Sequence, residues 1–273
     1  MSKARLGFLI CLITMKILFV GEIIAGSGRR TVARVLPDII KEHTPDLVLA
    51  NAENMSGGRG ITEDNVAEMQ QLGIDYFTGG DHIFWRAGTD EIIDRLPIIR
   101  PANYPEGTPG KGFAEIDAGK SGKVLLINLM GRTSFSSVFS YLDDPFRKAD
   151  QILEQTEDTK YSAIVVDFHA ESTSEKMALA FYLDGRVDAV LGTHTHVPTC
   201  DGMVMPKGTI YISDVGMTGI IDSVLGVNKE IIIQLFLTAR NQRFEWENTG
   251  RKAFRSVLLN TETKSIERVD KLI

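Results

Sequence analysis

Short apolar runs alternate along the first third of the chain with longer stretches in which apolar residues recur at helical spacing. Between residues 30 and 43, for example, the apolar positions are Val32, Val35, Leu36, Ile39 and Ile40. The pattern predicts strands over residues 17–20, 47–50 and 75–78, and helices over residues 30–43, 62–72 (with Thr62 as N-cap) and 89–96. Strands that alternate with helices in this way are typical of an α/β fold.

The alternation continues after an irregular segment rich in proline and glycine, residues 100–112. Residues 133–145 are rich in serine and predict a loop that forms a mobile flap. Strands are predicted over 124–129, 163–168 and 189–191, and helices over 145–157 and 174–183. Three further strands, over 209–213, 230–237 and 252–259, predict an antiparallel end to the chain.

Polar side chains follow several predicted strands at the points where the strands end. These groups are Glu22; Asn51, Glu53 and Asn54; Asp81 and His82; His169; and His194 with His196. Open α/β sheets bind ligands at the carboxyl ends of their strands, so we expect these side chains to converge. The fifth histidine, His43, lies inside a predicted helix and is predicted to be structural or exposed to solvent.

The two histidines of His194-x-His196 directly follow the strand predicted over 189–191. In extended backbone, residues i and i+2 point to the same side, so both imidazoles can reach one metal centre. An isolated His-x-His also arises as two surface or core histidines. The metal interpretation is favoured because His82 and His169 also follow predicted strands.

Imidazole and carboxylate ligands without thiolate favour manganese, iron or zinc. The four histidines His82, His169, His194 and His196, together with Glu22, Glu53, Asn54 and Asp81, make eight candidate groups, which is more than one ion needs. The sequence therefore predicts two divalent metal ions per chain, with iron or manganese first and zinc as the alternative. Pairs of metal ions are typical of phosphate-ester hydrolysis.

Composition narrows the function classes. The chain has 273 residues, a net charge of -6 and 43% hydrophobic residues, which suits a single domain over residues 15–273. The mild acidity disfavours long nucleic acid and favours a small nucleotide or phosphodiester as the partner. Two cysteines disfavour a disulfide scaffold and are typical of a reducing compartment, so a cytoplasmic location is predicted. A homo-oligomer is compatible with these features.

Residues 1–14 carry Lys3 and Arg5 before an apolar run over residues 6–13. No small-residue cleavage site follows the run, and it is shorter than the roughly twenty residues that a spanning helix needs. We therefore predict an N-terminal extension, which an upstream start codon would explain, and no membrane association.

Together, the motifs resemble those of the calcineurin-like metallophosphoesterases and, within them, the YmdB-type bacterial phosphodiesterases. The resemblance covers residues 15 to about 259. It rests on Gly21-Glu22, Asn51-Ala52-Glu53-Asn54, Gly80-Asp81-His82, the segment from Arg100 to Gly107, Asp167-Phe168-His169-Ala170-Glu171, the segment from Gly192 to His196, and the segment from Asp214 to Gly219.

The resemblance implies a sandwich of two mixed β-sheets flanked by helices. It implies one metal held by Glu22, Glu53, Asn54 and His196, and a second held by Glu53, Asp81, His169 and His194, with Glu53 bridging. The implied activity is hydrolysis of small phosphodiesters, notably 2′,3′-cyclic nucleotides, by attack of a metal-bridging hydroxide. His82 would assist the leaving group without binding metal.

Two positions depart from the family pattern, which has aspartate at the position of Glu22 and asparagine at that of Asp81. Glutamate is one methylene longer, so either the first metal shifts or the Glu22 side chain folds back. Asp81 adds an anionic ligand and reduces the net positive charge of the metal pair.

Three arginines, Arg29, Arg59 and Arg132, can either bind substrate phosphate or serve as ordinary surface residues. The two departures leave open an alternative function, a regulatory protein of the same fold that binds metal and nucleotide with little turnover. An amidohydrolase-type enzyme is disfavoured, because its His-x-His normally ends the first strand, whereas here it contains the last histidines of the chain.

Overall fold

The computed structural model describes residues 15–135 and 137–273. The predicted N-terminal extension and part of the serine-rich segment lie outside the described residues. The strands are β1 Lys16–Val20, β2 Glu22–Ile23, β3 Leu47–Asn51, β4 Tyr76–Thr78, β5 Ile98–Ile99, β6 Phe113–Asp117, β7 Lys123–Met130, β8 Ala163–His169, β9 Ala189–Thr193, β10 Met203–Val204, β11 Ile210–Ile212, β12 Met217–Ile220, β13 Lys252–Phe254, β14 Ser256–Asn260, β15 Ser265–Arg268 and β16 Lys271–Leu272. The helices are α1 Ala25–His43, α2 Glu63–Gln71, α3 Thr89–Ile92, α4 Pro145–Gln155, α5 Thr173–Leu183 and α6 Lys229–Thr238.

Two six-stranded mixed sheets form the centre of the fold. The first has the strand order β15-β14-β1-β3-β4-β5, and the second has the order β10-β11-β9-β8-β7-β6. Strands β1, β3, β4 and β5 run parallel to one another, as do β7, β8, β9 and β11. A smaller third sheet, β16-β13-β12-β2, adds the short strand that carries Glu22.

The alternation of side chains along β1 explains how the layers pack. Ile17 and Phe19 face the second sheet and belong to one buried cluster with Leu126 and Val165. Leu18 and Val20 point the other way, into a cluster that includes apolar residues of α1 and α2. A third cluster joins the outer face of the second sheet to α4 and α5. The predicted sandwich with outer helices is thereby confirmed, whereas the single-domain assignment stays a prediction.

Most predicted elements lie where the pattern placed them, and Thr62 caps α2 by accepting a hydrogen bond from the Asn65 backbone N–H. Helix α1 begins at Ala25, five residues before its predicted start. The structure adds strands that the pattern does not predict, namely β2, β5, β6, β10, β12, β15 and β16, and of these only β6 is longer than four residues. Within the described residues, every helix is too short or too polar to span a lipid bilayer.

The strand predicted over residues 230–237 is wrong, because this segment forms helix α6. The run of isoleucines favours a strand by propensity. However, the Asn228 side chain accepts hydrogen bonds from the backbone N–H groups of Glu230 and Ile231, which starts a helix. Only Ile232 of α6 is buried, so no sheet neighbour imposes a strand there.

The strand predicted over residues 252–259 is divided in two. β13 pairs with β12 in the small sheet, and β14 pairs with β1 in the first large sheet. The chain changes sheets at Arg255, whose backbone N–H donates to Thr218 Oγ1. This change of sheet places β12, and with it β2, next to the ends of the central strands.

Candidate metal centre

The eight candidate ligand and catalytic residues gather at the carboxyl ends of the central parallel strands. They come from β2 (Glu22), the turn after β3 (Glu53 and Asn54), the turn after β4 (Asp81 and His82), the end of β8 (His169) and the turn after β9 (His194 and His196). Both large sheets contribute, because their parallel strands end on the same side of the sandwich. The structure therefore brings these side chains together at one end of the sandwich, as the sequence predicts.

One group of side chains consists of Glu22, Glu53 and His196, whose candidate ligand atoms lie within 4.8 Å of one another. The Nε2 atom of His196 lies 2.5 Å from Glu22 Oε2. Asn54 completes the group, because its Nδ2 donates to Glu53 Oε1 at 2.7 Å and to Glu22 Oε2 at 3.3 Å. The other amide atom, Asn54 Oδ1, is buried without a hydrogen-bond partner among the described residues. A half-turn of the amide would present this oxygen to a cation.

A second group consists of Asp81, His169 and His194. The Nε2 atom of His169 lies 2.9 Å from Asp81 Oδ1 and 3.1 Å from His194 Nδ1. Two ring nitrogens and one carboxylate oxygen therefore point at one small volume. Neutral imidazoles with this arrangement are ordinary ligands of a divalent metal.

Glu53 lies between the two groups. It belongs to the first, and its Oε2 atom lies 3.3 Å from His169 Nε2 of the second. The turn after β4 passes close to the Glu53 carboxylate, since a Cβ on Gly80 would lie 2.1 Å from Glu53 Oε2. Glycine at position 80 is therefore required by the position of the Glu53 carboxylate.

Each of the three candidate histidine ligands is oriented by a partner on its far nitrogen. Thr193 Oγ1 lies 3.0 Å from His169 Nδ1, Glu171 Oε2 lies 3.1 Å from His194 Nε2, and the Leu225 carbonyl accepts from His196 Nδ1 at 3.0 Å. Metal-binding histidines in proteins are commonly held in this way, with one nitrogen free for the ion. Sequence reasoning missed Thr193 and Leu225, since a hydroxyl and a carbonyl carry no metal-ligand signature.

A buried carboxylate lies behind His169. Asp167 accepts hydrogen bonds from Thr78 Oγ1, Asn51 Nδ2 and Thr193 Oγ1. Burial raises the pKa of the Asp167 carboxyl to about 6, although the Thr78 hydrogen bond acts in the opposite direction. Thr193 therefore connects Asp167 to the ring of His169 and fixes the orientation of that ring.

The electrostatics of the two groups favour cations. Burial lowers the pKa of His169, but the charge of Glu53 and the contact with Asp81 outweigh it and raise the pKa to about 10. Burial also lowers the pKa of His196, but the charge of Glu22 and its contact with the ring outweigh burial and raise that pKa to about 9. Three buried carboxylates thus attract positive charge into a small space, and the donor set fits a pair of divalent metal ions.

The His194-x-His196 segment is not extended, so the prediction that one strand directs both rings to the same side is wrong. The φ angles of His194 and His196 are +100° and +64°, in the left-handed region. Asp214 Oδ2 holds the turn by accepting hydrogen bonds from the backbone N–H and the hydroxyl of Thr195, at 3.0 and 2.8 Å. The turn sends His194 to one group and His196 to the other.

A buried ion pair supports this turn, because Lys176 Nζ lies 2.9 Å from Asp214 Oδ2. Replacing Asp214 with asparagine removes the charge partner of a buried ammonium, so Asp214→Asn is expected to lower the free energy of unfolding by about 3 kcal/mol. Urea denaturation measures the change. The matched control is Asp222→Asn, which breaks the exposed pair with Arg251 and is expected to cost much less. Equal effects in both variants would contradict a supporting role for the buried pair.

A cavity of about 270 Å³ opens over the two groups and is lined by His82, His194, His196 and Arg59 among others. The His82 side chain is 24% exposed, its Nδ1 atom lies 3.2 Å from Glu53 Oε1, and its ring packs edge-on against Trp85. His82 therefore lies between the carboxylates and the cavity.

The three arginines considered for phosphate binding differ in their surroundings. Arg29 pairs with Glu68 at 2.7 Å, and Arg132 pairs with Asp144 at 2.8 Å. Arg59 lines the cavity, and its guanidinium lies 4.8 Å from the centre of the Trp85 ring. Of these three, Arg59 alone faces the cavity beside His82.

The sequence of this chain is similar to a protein family and to proteins that are already named. The model of the family described as YmdB-like protein matches residues 18–272. The chain is 42% identical over 264 residues to a Bacillus subtilis protein named 2′,3′-cyclic-nucleotide 2′-phosphodiesterase, covering 95% of this chain and 97% of that protein.

Two solved structures are similar over nearly the whole chain. A hypothetical protein from Thermus thermophilus superposes with a TM-score of 0.85 at 40% identity, covering 95% of this chain and 99% of that one. A structure described as a novel phosphatase from Mycoplasma pneumoniae also gives a TM-score of 0.85, at 30% identity, with 95% and 93% coverage. The fold of this chain therefore recurs in both of these proteins.

Proposed function

Because the chain belongs to the YmdB-like protein family, we propose that it is a metal-dependent phosphodiesterase that hydrolyses small phosphodiesters, with 2′,3′-cyclic nucleotides as the substrate class. The name of the Bacillus subtilis relative supports this substrate class. The observation that carries the proposal is the convergence of His169, His194 and His196 on the carboxylates, each ring held by a partner on its far nitrogen.

The proposed ligands of the first metal are Glu22, Glu53, Asn54 and His196, and those of the second are Glu53, Asp81, His169 and His194. The grouping of these side chains supports the assignment, as does the unpartnered oxygen of Asn54. Iron or manganese suits this mixture of imidazole and carboxylate without thiolate, with zinc as the alternative. When bound, two such ions would activate water as a nucleophile and neutralise the charge of the phosphate.

The protein side chains then position the substrate and move one proton. The guanidinium of Arg59 binds a phosphate oxygen at the mouth of the cavity. As water adds to phosphorus it releases a proton to the solvent, the bond between phosphorus and O2′ breaks, and His82 donates a proton to O2′ and is protonated again from the solvent. The product is a nucleoside 3′-phosphate.

A cytoplasmic location and a homo-oligomeric state remain predictions from the sequence.

The test is hydrolysis of adenosine 2′,3′-cyclic phosphate, followed by chromatography, with metal content measured by mass spectrometry on the same sample. We expect two metal ions per chain and release of the 3′-nucleotide, and loss of both after dialysis against a chelator. A protein that holds metal and binds the nucleotide without hydrolysing it would overturn the proposal in favour of the regulatory function.

Replacing Arg59 is a direct test of its role. Arg59→Gln is expected to lower kcat/KM by about ten- to a hundredfold, because a charge-assisted hydrogen bond to phosphate is lost. Steady-state kinetics with the cyclic nucleotide measure the effect. Arg132→Gln is the control, since Arg132 pairs with Asp144 away from the cavity lining. If both variants lose the same activity, Arg59 has no special part in substrate binding.

A further inference from the structure

A second cavity, of about 550 Å³, adjoins the one over the candidate metal centre. The two cavities share Arg59, Phe244 and Trp246 in their linings. The second cavity adds Gly57, Gln242 and Arg243. A ligand held at the metal centre can therefore extend past Phe244 and Trp246 into this further space.

The wall between the cavities is aromatic and firmly placed. The Trp246 indole lies so close to the loop after β3 that a Cβ on Gly58 would lie 1.8 Å from its Cε2 atom. Its other neighbours include Gly226, on which a Cβ would lie 3.2 Å from the indole. Phe244 is 39% exposed beside it. Together with Leu225 and Val227 of the first cavity, these rings offer an apolar surface suited to the flat face of a nucleobase.

The second cavity carries the chemistry of an anion site. Its lining contains two guanidinium groups, those of Arg59 and Arg243, and one side-chain amide, that of Gln242, but no carboxylate. In the part of the chain that the structure describes, neither arginine forms an ion pair, in contrast to Arg29 and Arg132. Unpaired guanidinium groups at a cavity wall bind phosphate well, since their N–H groups match its oxygens.

We infer that the second cavity is a subsite for an additional phosphate of the substrate. This inference rests on the proposed function, which places the scissile phosphate at the metal centre. The ligand is a nucleotide whose base lies against Phe244 and Trp246 and whose 5′ side carries a phosphate bound by Arg243. A nucleoside 2′,3′-cyclic phosphate with a 5′-phosphate is therefore preferred to the same compound with a free 5′-hydroxyl.

The experiment compares adenosine 2′,3′-cyclic phosphate with and without a 5′-phosphate as substrates. Binding is measured in parallel by calorimetry with adenosine 3′-phosphate and adenosine 3′,5′-bisphosphate, so that the result does not depend on turnover. For the wild-type protein we expect about a tenfold preference for the 5′-phosphorylated compound in kcat/KM and in Kd, as for one charge-assisted hydrogen bond.

Arg243→Gln is expected to abolish the preference while leaving kcat/KM for the 5′-hydroxyl compound close to wild type. Arg240→Gln, which changes an exposed arginine three residues away that lines neither cavity, should keep the preference. Equal kcat/KM and Kd for the two kinds of compound in the wild-type protein would overturn the inference. Equal losses on both compounds in Arg243→Gln would also overturn it.

The design separates this inference from the proposed function. If the wild-type protein hydrolyses neither cyclic compound, the proposed function fails. The calorimetric comparison of the 3′-phosphate and the 3′,5′-bisphosphate then still decides whether the second cavity binds a phosphate.

Discussion

Replacing Glu53 with glutamine is expected to empty both proposed metal sites and to lower the activity by about a thousandfold or more, because in the proposed function the two metal ions supply several kcal/mol of the catalysis. Glu53 is the side chain that belongs to the first group and also approaches His169 of the second. Glutamine keeps the shape of the side chain but loses the charge. By contrast, His196→Ala is expected to remove only the first metal, since His196 contacts Glu22 and not Asp81.

The measurement is the metal content per chain after dialysis, by mass spectrometry, for the wild type and both variants. Asp184→Asn is a suitable control, because Asp184 is also a buried carboxylate but accepts hydrogen bonds from Lys207 and Thr209 away from the site. The control should keep both metals. Loss of one metal to the same extent in Glu53→Gln and His196→Ala would show that the chain binds a single metal and that Glu53 does not bridge.

The convergence of the site was predictable because it depends on topology. Parallel strands of one sheet end on one side, so polar residues that follow such strands meet there whatever the details of the loops. Asp81 follows a strand of the first sheet and His169 ends a strand of the second, and because both sheets end on the same side of the sandwich the two side chains lie within 2.9 Å of each other, although 88 residues separate them. The sequence needed only to show strands that end in metal ligands.

The local geometry of the site was not predictable, because contacts from distant segments determine it. His194 and His196 have positive φ angles since Asp214, close to the start of β12, holds Thr195 between them. Helix α6 forms because a single side chain, that of Asn228, caps its first turn, although its isoleucines favour a strand. In both cases one hydrogen-bonding side chain outweighs the local pattern.

Glu22 and Asp81, the two positions where the resemblance predicts a departure from the family pattern, each contact two histidines of the site. The Glu22 carboxylate spans two partners: one oxygen accepts from the backbone N–H of His194, and the other lies beside His196 Nε2. An aspartate on β2 has one methylene less with which to reach both. Asp81 in turn contacts both His169 and His194, so its negative charge lies next to two imidazole rings. An asparagine at this position would contact the same rings as a neutral group.

His82→Ala is expected to keep both metals and to lower kcat by about a hundredfold or more, the usual contribution of a general acid. The reason is the position of His82 between Glu53 and the cavity, where its ring can reach a leaving oxygen. His82 also lies with Glu53 and Asp81 in a third group that is capable of holding a metal, so the metal content of the variant decides between the two roles. A variant that loses metal would identify His82 as a ligand.

The choice of substrate makes the test of His82 sharper. Hydrolysis of a nucleoside 2′,3′-cyclic phosphate expels an alkoxide, which needs a proton, whereas bis(p-nitrophenyl) phosphate expels a phenolate that does not. His82→Ala should therefore lose about a hundredfold on the first substrate and much less on the second, and added imidazole should restore part of the lost rate. His43→Ala, at the end of α1, should behave as wild type on both. Equal losses on the two substrates would show that His82 acts on binding or on the metals, because a proton donor to the leaving group must distinguish between them.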